Sequence, residues 1–259
     1  MLEVTNLAAG YGQKAILENF NASFQTNKLY ILLGPNGSGK TTLLNTIGGW
    51  QKPLAGQVLV DGKDVFSQSD RQRARLTGRM AHHTAMLTMP ISRFVLLGCY
   101  ANQAWINPYC QADYEKAKQA LQAMRLSDLA QRPMDKLSSG QRQRAAIAQV
   151  LAQDPICLLL DEPGSSLDPC ARFKLMEMLV KLKDKHRVLL AIVHDLDLAL
   201  RYGDELLVLD HGQLVFQGTS DQLVQSQIIR DVFGLVIEDW DTQSKTGRIF
   251  PIECESQWF

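Results

Sequence analysis

The sequence predicts an α/β fold in which a parallel, doubly wound core is joined to an antiparallel β layer and a helical insertion. Three observations carry this expectation. The run Leu29-Tyr30-Ile31-Leu32-Leu33 is continuously apolar, as a strand buried on both faces must be, and leads directly into a glycine-rich loop. From Ile156 onward, short apolar runs alternate with helix-length segments, the pattern of βαβ units. Between roughly Ser92 and Leu151, strand character is lost and apolar residues recur at helical spacing.

Taken in order, Leu2 to Leu7 alternates in part, Ala15 to Phe24 is mixed, and Gln57 to Val60 ends at the turn signal Asp61-Gly62. These segments make the β layer, residues 1–28 and 55–75. The core is expected over 29–54 and 156–218, and the helical insertion over 85–155, with helices at Asp113 to Met124 and Ser138 to Ala152. Ile156 to Leu160 is a strand, Pro169 to Lys185 a helix, Val188 to Val193 a strand and Leu196 to Tyr202 a helix. Glu205 to Leu209 then turns at His211-Gly212 into Leu214 to Phe216. Ser220 is expected to cap a helix reaching Phe233, and the rest of 219–259 is an irregular or short β tail. No internal repeat or low-complexity tract divides the chain, so residues 1–259 read as one domain.

Composition narrows the function. Of 259 residues, 46% are hydrophobic and 21% charged, and 27 Lys plus Arg balance 27 Asp plus Glu. A chain of zero net charge lacks the basic excess that tracking a nucleic-acid backbone needs, so no nucleic-acid partner is expected. Five scattered cysteines without a C-x-x-C pair argue against a zinc module and a disulfide framework, and fit a reducing, cytosolic compartment. No apolar run reaches the ~18 residues of a membrane span, and the N-terminus has no basic segment followed by an apolar one. Any membrane role would therefore pass through a partner.

Gly34-Pro35-Asn36-Gly37-Ser38-Gly39-Lys40-Thr41 matches G-x-x-x-x-G-K-[ST], with an apolar strand before it and an apolar helix (Leu43, Leu44, Ile47) after it. A chance glycine-rich turn would lack that context. Glycines let successive N–H groups turn onto phosphate oxygens, and the helix N-terminus adds partial positive charge. Lys40 reaches the β and γ phosphates and Thr41 offers a hydroxyl to Mg2+. The candidate nucleotide ligands are Gly34, Asn36, Gly37, Ser38, Gly39, Lys40, Thr41 and Thr42. Downstream, Ile156 to Leu160 ends in Asp161-Glu162-Pro163, placing two acids where ligands bind in open α/β sheets. Asp161 suits a second anchor for Mg2+. Glu162 points the other way and can polarise an attacking water. Alone, the pair reads equally well as a solvated strand end; beside a phosphate loop the functional reading is favoured.

Three further segments make the pattern specific. Leu137-Ser138-Ser139-Gly140-Gln141 stands upstream of the acids, Ser165-Ser166-Leu167-Asp168 downstream, and His194 ends the next strand. With Tyr11 ahead of the phosphate loop, this order resembles the ATP-binding cassette (ABC) family of ATPases over nearly the whole chain. The resemblance implies a P-loop NTPase (RecA-like) core and a head-to-tail homodimer that sandwiches two ATP molecules and reopens on hydrolysis. Each ATP would lie between the phosphate loop of one chain and Ser138, Ser139, Gly140 and Gln141 of the other. It also implies that Tyr11 stacks on adenine, that Ser165 to Asp168 crosses the interface, and that the catalytic set is Glu162, His194 and Lys40, with Thr41 and Asp161 on the metal. Local explanations stand beside these: S-x-x-Q over Ser138 to Gln141 is a capping box, and Asp168-Pro169 is an N-cap followed by proline at the first helical position.

The chain departs from the family pattern at Ser139, where glycine is usual, and over Arg79 to Met86, where the usual glutamine is absent. An ungapped reading puts Ala81 in its place, with His82 and His83 beside it, and so implies weakened hydrolysis or coupling. Arg71, Arg73, Arg75 and Arg79 read as a solvated helical face, with contact to a partner or a lipid headgroup as the alternative. Leu97-Gly98, the run from Asp113 to Arg132, Leu151-Ala152-Gln153-Asp154-Pro155 and the tail from Val232 to Pro251 resemble ATPases of importers for iron–siderophore, haem and cobalamin complexes. That likeness implies integral membrane permease subunits, an indirect link to a substrate-binding protein, and a peripheral place on the cytoplasmic face of the inner membrane. The alternative is a soluble, non-transport ABC ATPase of the iron–sulfur assembly type. A nucleotide-sensing module with negligible hydrolysis is a third reading.

Overall fold

The structure, a computed structural model, describes residues 1–12, 14–80, 88–102 and 109–252. Strands β1 (Leu2–Tyr11) and β2 (Lys14–Phe24) precede β3 (Lys28–Leu33), which feeds the glycine loop and helix α1 (Lys40–Ile47). Next come β4 (Ala55–Val60), β5 (Lys63–Asp64), α2 (Asp70–Leu76) and β6 (Thr77–Arg79). The helical insertion contributes α3 (Ile91–Leu96), α4 (Gln111–Ala123) and α5 (Ser139–Gln153). The chain then alternates through β7 (Cys157–Asp161), α6 (Pro169–Lys181), β8 (Val188–Ile192), α7 (Leu196–Tyr202), β9 (Glu205–Asp210) and β10 (Gln213–Gly218). It finishes with α8 (Ser220–Gln225), α9 (Ile228–Phe233), β11 (Leu235–Asp241) and β12 (Thr246–Pro251).

The central sheet has the order β10-β9-β3-β8-β7-β6, parallel throughout except for β10. A separate antiparallel sheet, β2-β1-β4-β5, lies against one of its faces. Side chains of a strand alternate between faces, and here both faces are covered. Leu29, Ile31 and Leu33 of β3 pack with the helices of the insertion and with α6 and α7, whereas Tyr30 and Leu32 pack with α1 and the β layer. The same division runs through β8, with Leu189 and Ala191 on one side and Val188, Leu190 and Ile192 on the other. Buried Tyr30 keeps its hydroxyl satisfied by accepting from the Gln25 amide at 2.7 Å, and its ring meets Phe24 edge-on at 4.9 Å.

Register positions the loops that follow the strands. Leu32 of β3 and Asp161 of β7 both pair with Ile192 of the β8 strand between them. One row across three parallel strands therefore sets Gly34, Glu162 and His194 one or two residues beyond a common line.

Several elements differ from the sequence expectation. The arginine stretch is not one helical face: α2 ends at Leu76, and Thr77 to Arg79 is an edge strand pairing with Cys157 to Leu159. Three residues carry too little periodicity to announce a strand, and Gly78 is there because a Cβ would meet Val150 Cγ1 at 2.7 Å. Arg79 leaves that face altogether, bonding Asn45 and lying over the Trp50 ring at 5.7 Å. Helix α6 stops at Lys181, and a turn follows in which the Asp184 carboxylate accepts from the His186 amide at 2.7 Å. The cap expected from Ser220 belongs to Thr219, whose side chain and that of Gln222 form a capping box. Ser220 is buried instead and donates to the Leu200 carbonyl at 2.6 Å. The expected single helix to Phe233 breaks at Ser226, whose hydroxyl donates to the Leu223 carbonyl and accepts from the Ile228 amide. The tail is an antiparallel hairpin of β11 and β12, held to α8 by a bond from Trp240 Nε1 to Asp221 Oδ1 at 2.8 Å. Among the described residues no helix is long and apolar enough to cross a membrane.

Burial also sorts the thiols. Desolvation pushes Cys99 up to about 11 and Cys157 up to about 12, whereas Cys110 and Cys170 are exposed. Iodoacetamide at neutral pH is expected to label Cys110 and Cys170 in the native chain and to reach Cys99 and Cys157 only after denaturation, as read by peptide mapping.

Candidate functional site

The glycine loop leaves β3 through Gly34, whose φ of 148° and surroundings both exclude a side chain: a Cβ would sit 2.1 Å from the Leu209 carbonyl oxygen. Gly39, at φ 100°, occupies the N-cap of α1 and supplies no side-chain cap. The first N–H groups of α1 therefore have no capping side chain from the chain itself. Ser38 is only 3% exposed, and its buried hydroxyl oxygen has no hydrogen-bond partner. Lys40, 6% exposed, folds back to donate from Nζ to the Gly34 and Pro35 carbonyls at 2.9 and 2.7 Å. Burial lowers its pKa, opposed by the charges of Glu162 and Asp161. A buried cation held by neutral carbonyls, an unpartnered buried hydroxyl and an uncapped helix N-terminus together fit the phosphates of a nucleotide. Asn36 and Gly37 are exposed at the tip of the loop, and Thr42 is buried inside the first turn of α1.

Asp161 ends β7 fully buried, with Oδ1 accepting from the Thr41 hydroxyl at 3.5 Å. Thr41 and Asp161 thus offer two hard oxygen donors side by side, the donor type Mg2+ takes. At Glu162 the backbone turns into the left-handed region, φ 49°. That takes its side chain out of strand alternation, and Oε1 meets His194 Nε2 at 2.6 Å. The tautomer with the proton on Nε2 is the one that donates across this contact. The Glu162 carbonyl accepts from the Ser165 amide at 3.2 Å and from Gln143 Nε2 at 3.3 Å.

Lys40, Thr41 and Asp161 are brought together, as are Glu162 and His194. Ser138 to Gln141 stand apart. Ser138 caps α5, with its hydroxyl accepting from the Gln141 amide at 3.2 Å and the Gln141 side chain accepting from the Ser138 amide at 3.0 Å. With Ser166, Leu167 and Asp168 they line a cavity of about 460 Å3 in which no residue of the phosphate loop takes part. Gly140 is packed, since a Cβ would meet Leu167 Cδ2 at 2.8 Å, whereas Ser139 is exposed at the first helical position, where its hydroxymethyl group is accommodated. Asp168 caps α6 through the Ala171 amide at 2.9 Å. Tyr11, 62% exposed, lines a different cavity of about 480 Å3 with Asn45, Trp50, Gln51 and Arg79. The expected departure at Ala81, with His82 and His83, lies outside the described residues. Neither Gln143 nor the Trp50–Arg79 pair carried a motif of its own; the position of Gln143 in the capped helix was the one available signal.

A strand running into such a loop, with an aspartate ending a strand of the same parallel sheet, places the protein among P-loop nucleotide-binding proteins. The comparisons agree and are more specific. A family model described as ABC transporter matches residues 17–165. The chain is 33% identical over 234 residues to the petrobactin import ATP-binding protein FpuD of Bacillus anthracis, covering 90% of this chain and 86% of that protein. To the ferric enterobactin transport ATP-binding protein FepC of Escherichia coli (strain K12) it is 35% identical over 238 residues, covering 90% and 88%. Its structure superposes on MJ1267, an ATP-binding cassette of an ABC transporter, with a TM-score of 0.78 and 27% identity, covering 89% of this chain and 95% of that one. The chain belongs to the ABC transporter family, as an ATP-binding cassette with ATPase activity.

Gly34→Ala is expected to destabilise the fold by roughly 1–3 kcal/mol through its clash with Leu209 and its positive φ. Chemical denaturation with the m-value unchanged would show it.

Proposed function

We propose that this chain is the ATP-hydrolysing subunit of an importer for an iron–siderophore, haem or cobalamin-type complex, acting at the cytoplasmic face of the inner membrane through integral permease subunits. The named roles of FpuD, petrobactin import, and FepC, ferric enterobactin transport, similar over most of their length, support the iron–siderophore member of that class. The observation that carries the hydrolytic role is the 2.6 Å contact between Glu162 and His194 beside the phosphate loop.

In this reading the loop amides and Lys40 bind the phosphates of ATP, and Tyr11 receives the adenine. Thr41 and Asp161 would hold Mg2+, which when bound neutralises charge on the β and γ phosphates. Glu162 accepts a proton from, and orients, the attacking water, while His194 orients the γ-phosphate. Ser138, Ser139, Gly140 and Gln141 serve the nucleotide of a second copy, because they line a cavity apart from their own phosphate loop. Two copies are then needed for either site to be complete. A substrate-binding protein would act through the permease and never touch this chain.

Glu162→Gln is expected to leave ATP affinity within about threefold of wild type, to lower turnover at least ~100-fold, and to accumulate an ATP-bound dimer in size-exclusion chromatography. Wild-type turnover in that variant would overturn the assignment. A tagged chain recovered from detergent-solubilised membranes is expected to bring a polytopic membrane protein in stoichiometric amount; recovery of soluble partners alone would favour the assembly-type ATPase.

A further inference from the structure

Glu162 stands in the left-handed backbone region, φ 49°, which a non-glycine residue rarely adopts and which persists only where its surroundings hold it. Its carboxylate end is held by His194. Its main-chain end is held twice. One bond to the carbonyl is internal to the turn, from the Ser165 amide at 3.2 Å. The other comes from a different element: Gln143 of α5 donates from Nε2 at 3.3 Å. The same amide group, through Oε1, accepts from the Ser166 hydroxyl at 3.4 Å. A carbonyl oxygen has two lone pairs, so the two donors can be accommodated together, and a primary amide is the side chain that can donate to the carbonyl while accepting from the hydroxyl.

The consequence is a bridge. Gln143 lies two residues past Gln141, on the helix whose N-terminus is the capped Ser138 segment. One side chain thus joins that helix to the turn carrying Glu162 and to the loop from Ser165 to Asp168. We infer that Gln143 is a positioning residue for hydrolysis: by fixing the Glu162 carbonyl and the Ser166 hydroxyl, it sets the direction of the Glu162 carboxylate and makes that direction depend on where α5 lies. Displacement of α5 relative to β7 lengthens the bond to the Glu162 carbonyl and releases the turn. Gln143 touches neither nucleotide nor water in this assignment, and its effect passes through Glu162. The inference rests on the reading of Glu162 as the residue that activates water.

The test uses the full chain and compares Gln143→Ala and Gln143→Glu with wild type in steady-state ATP hydrolysis and thermal melting. Alanine is the better helix former, so loss of α5 is not expected from the first variant. Glutamate keeps the length of the side chain but, when ionised, has no proton to give the carbonyl. Both variants are expected to lower kcat about 3- to 10-fold, the worth of one amide–carbonyl bond, with KM for ATP within about twofold. The melting temperature is expected to stay within about 2 °C of wild type. Wild-type kcat in both variants would overturn the inference, as would a loss that appears as a raised KM or with a melting temperature lowered well beyond about 2 °C. Glu162→Gln, assayed alongside, separates the two claims. If Glu162→Gln retains turnover, the reading of the site fails; if it is inactive while both Gln143 variants turn over normally, only the role of Gln143 fails.

Discussion

Everything at the site depends on the register of three parallel strands. Because Leu32 and Asp161 pair with the same residue, Ile192, the ends of β3, β7 and β8 are level, and three chain segments far apart in sequence emerge side by side. Parallel pairing demands burial on both faces, since each crossover lays a helix or a sheet against the strands. The apolar composition of β3, β7 and β8 is therefore as much a condition of the chemistry as the polar residues that follow them. A slip of one residue in β8 would exchange the two cores side chain for side chain and carry His194 away from Glu162.

Within that frame the polar groups are arranged by contrast. Lys40 is buried and spends its protons on carbonyls of its own loop, Asp161 is buried beneath Thr41, and Glu162 and His194 remain partly open to solvent. The buried members are shaped to receive charge that arrives with a ligand. In the proposed function the open members are the ones that meet the attacking water. Lys40 carries the electrostatic cost of this arrangement, since desolvation weakens its hold on a proton while the two acids restore it. An arriving phosphate would act in the same direction as those acids.

How much of this was legible in the sequence follows from the length and period of each signal. The continuous apolar runs at Leu29 and Ile156 named the buried strands, and the phosphate loop, the two acids and the capping box at Ser138 are each contained within a few consecutive residues. Thr77 to Arg79 has no legible period because three residues are too few, and Arg79 continues the spacing of Arg71, Arg73 and Arg75 on α2 although it lies over Trp50. Thr219 and Ser220 have the same capping chemistry, so the sequence does not choose between them, and only the burial of Ser220 against α7 does. The link from Gln143 to Glu162 spans 19 residues and two elements, and no local pattern encodes it.

The edges of the central sheet differ in a way that bears on association. One edge is β6, three residues long with a glycine at its centre; the other is β10, antiparallel and alternately exposed along its length, with Gln213 and Gln217 among its outward residues. A strand that short offers too few free amides and carbonyls to template a further strand, and β10 lies close to β2 of the other sheet. The sheet is thereby guarded against growing from molecule to molecule, an aggregation route open to any extended β edge, and another chain meeting this one is directed toward its loops and helix ends rather than its ladder.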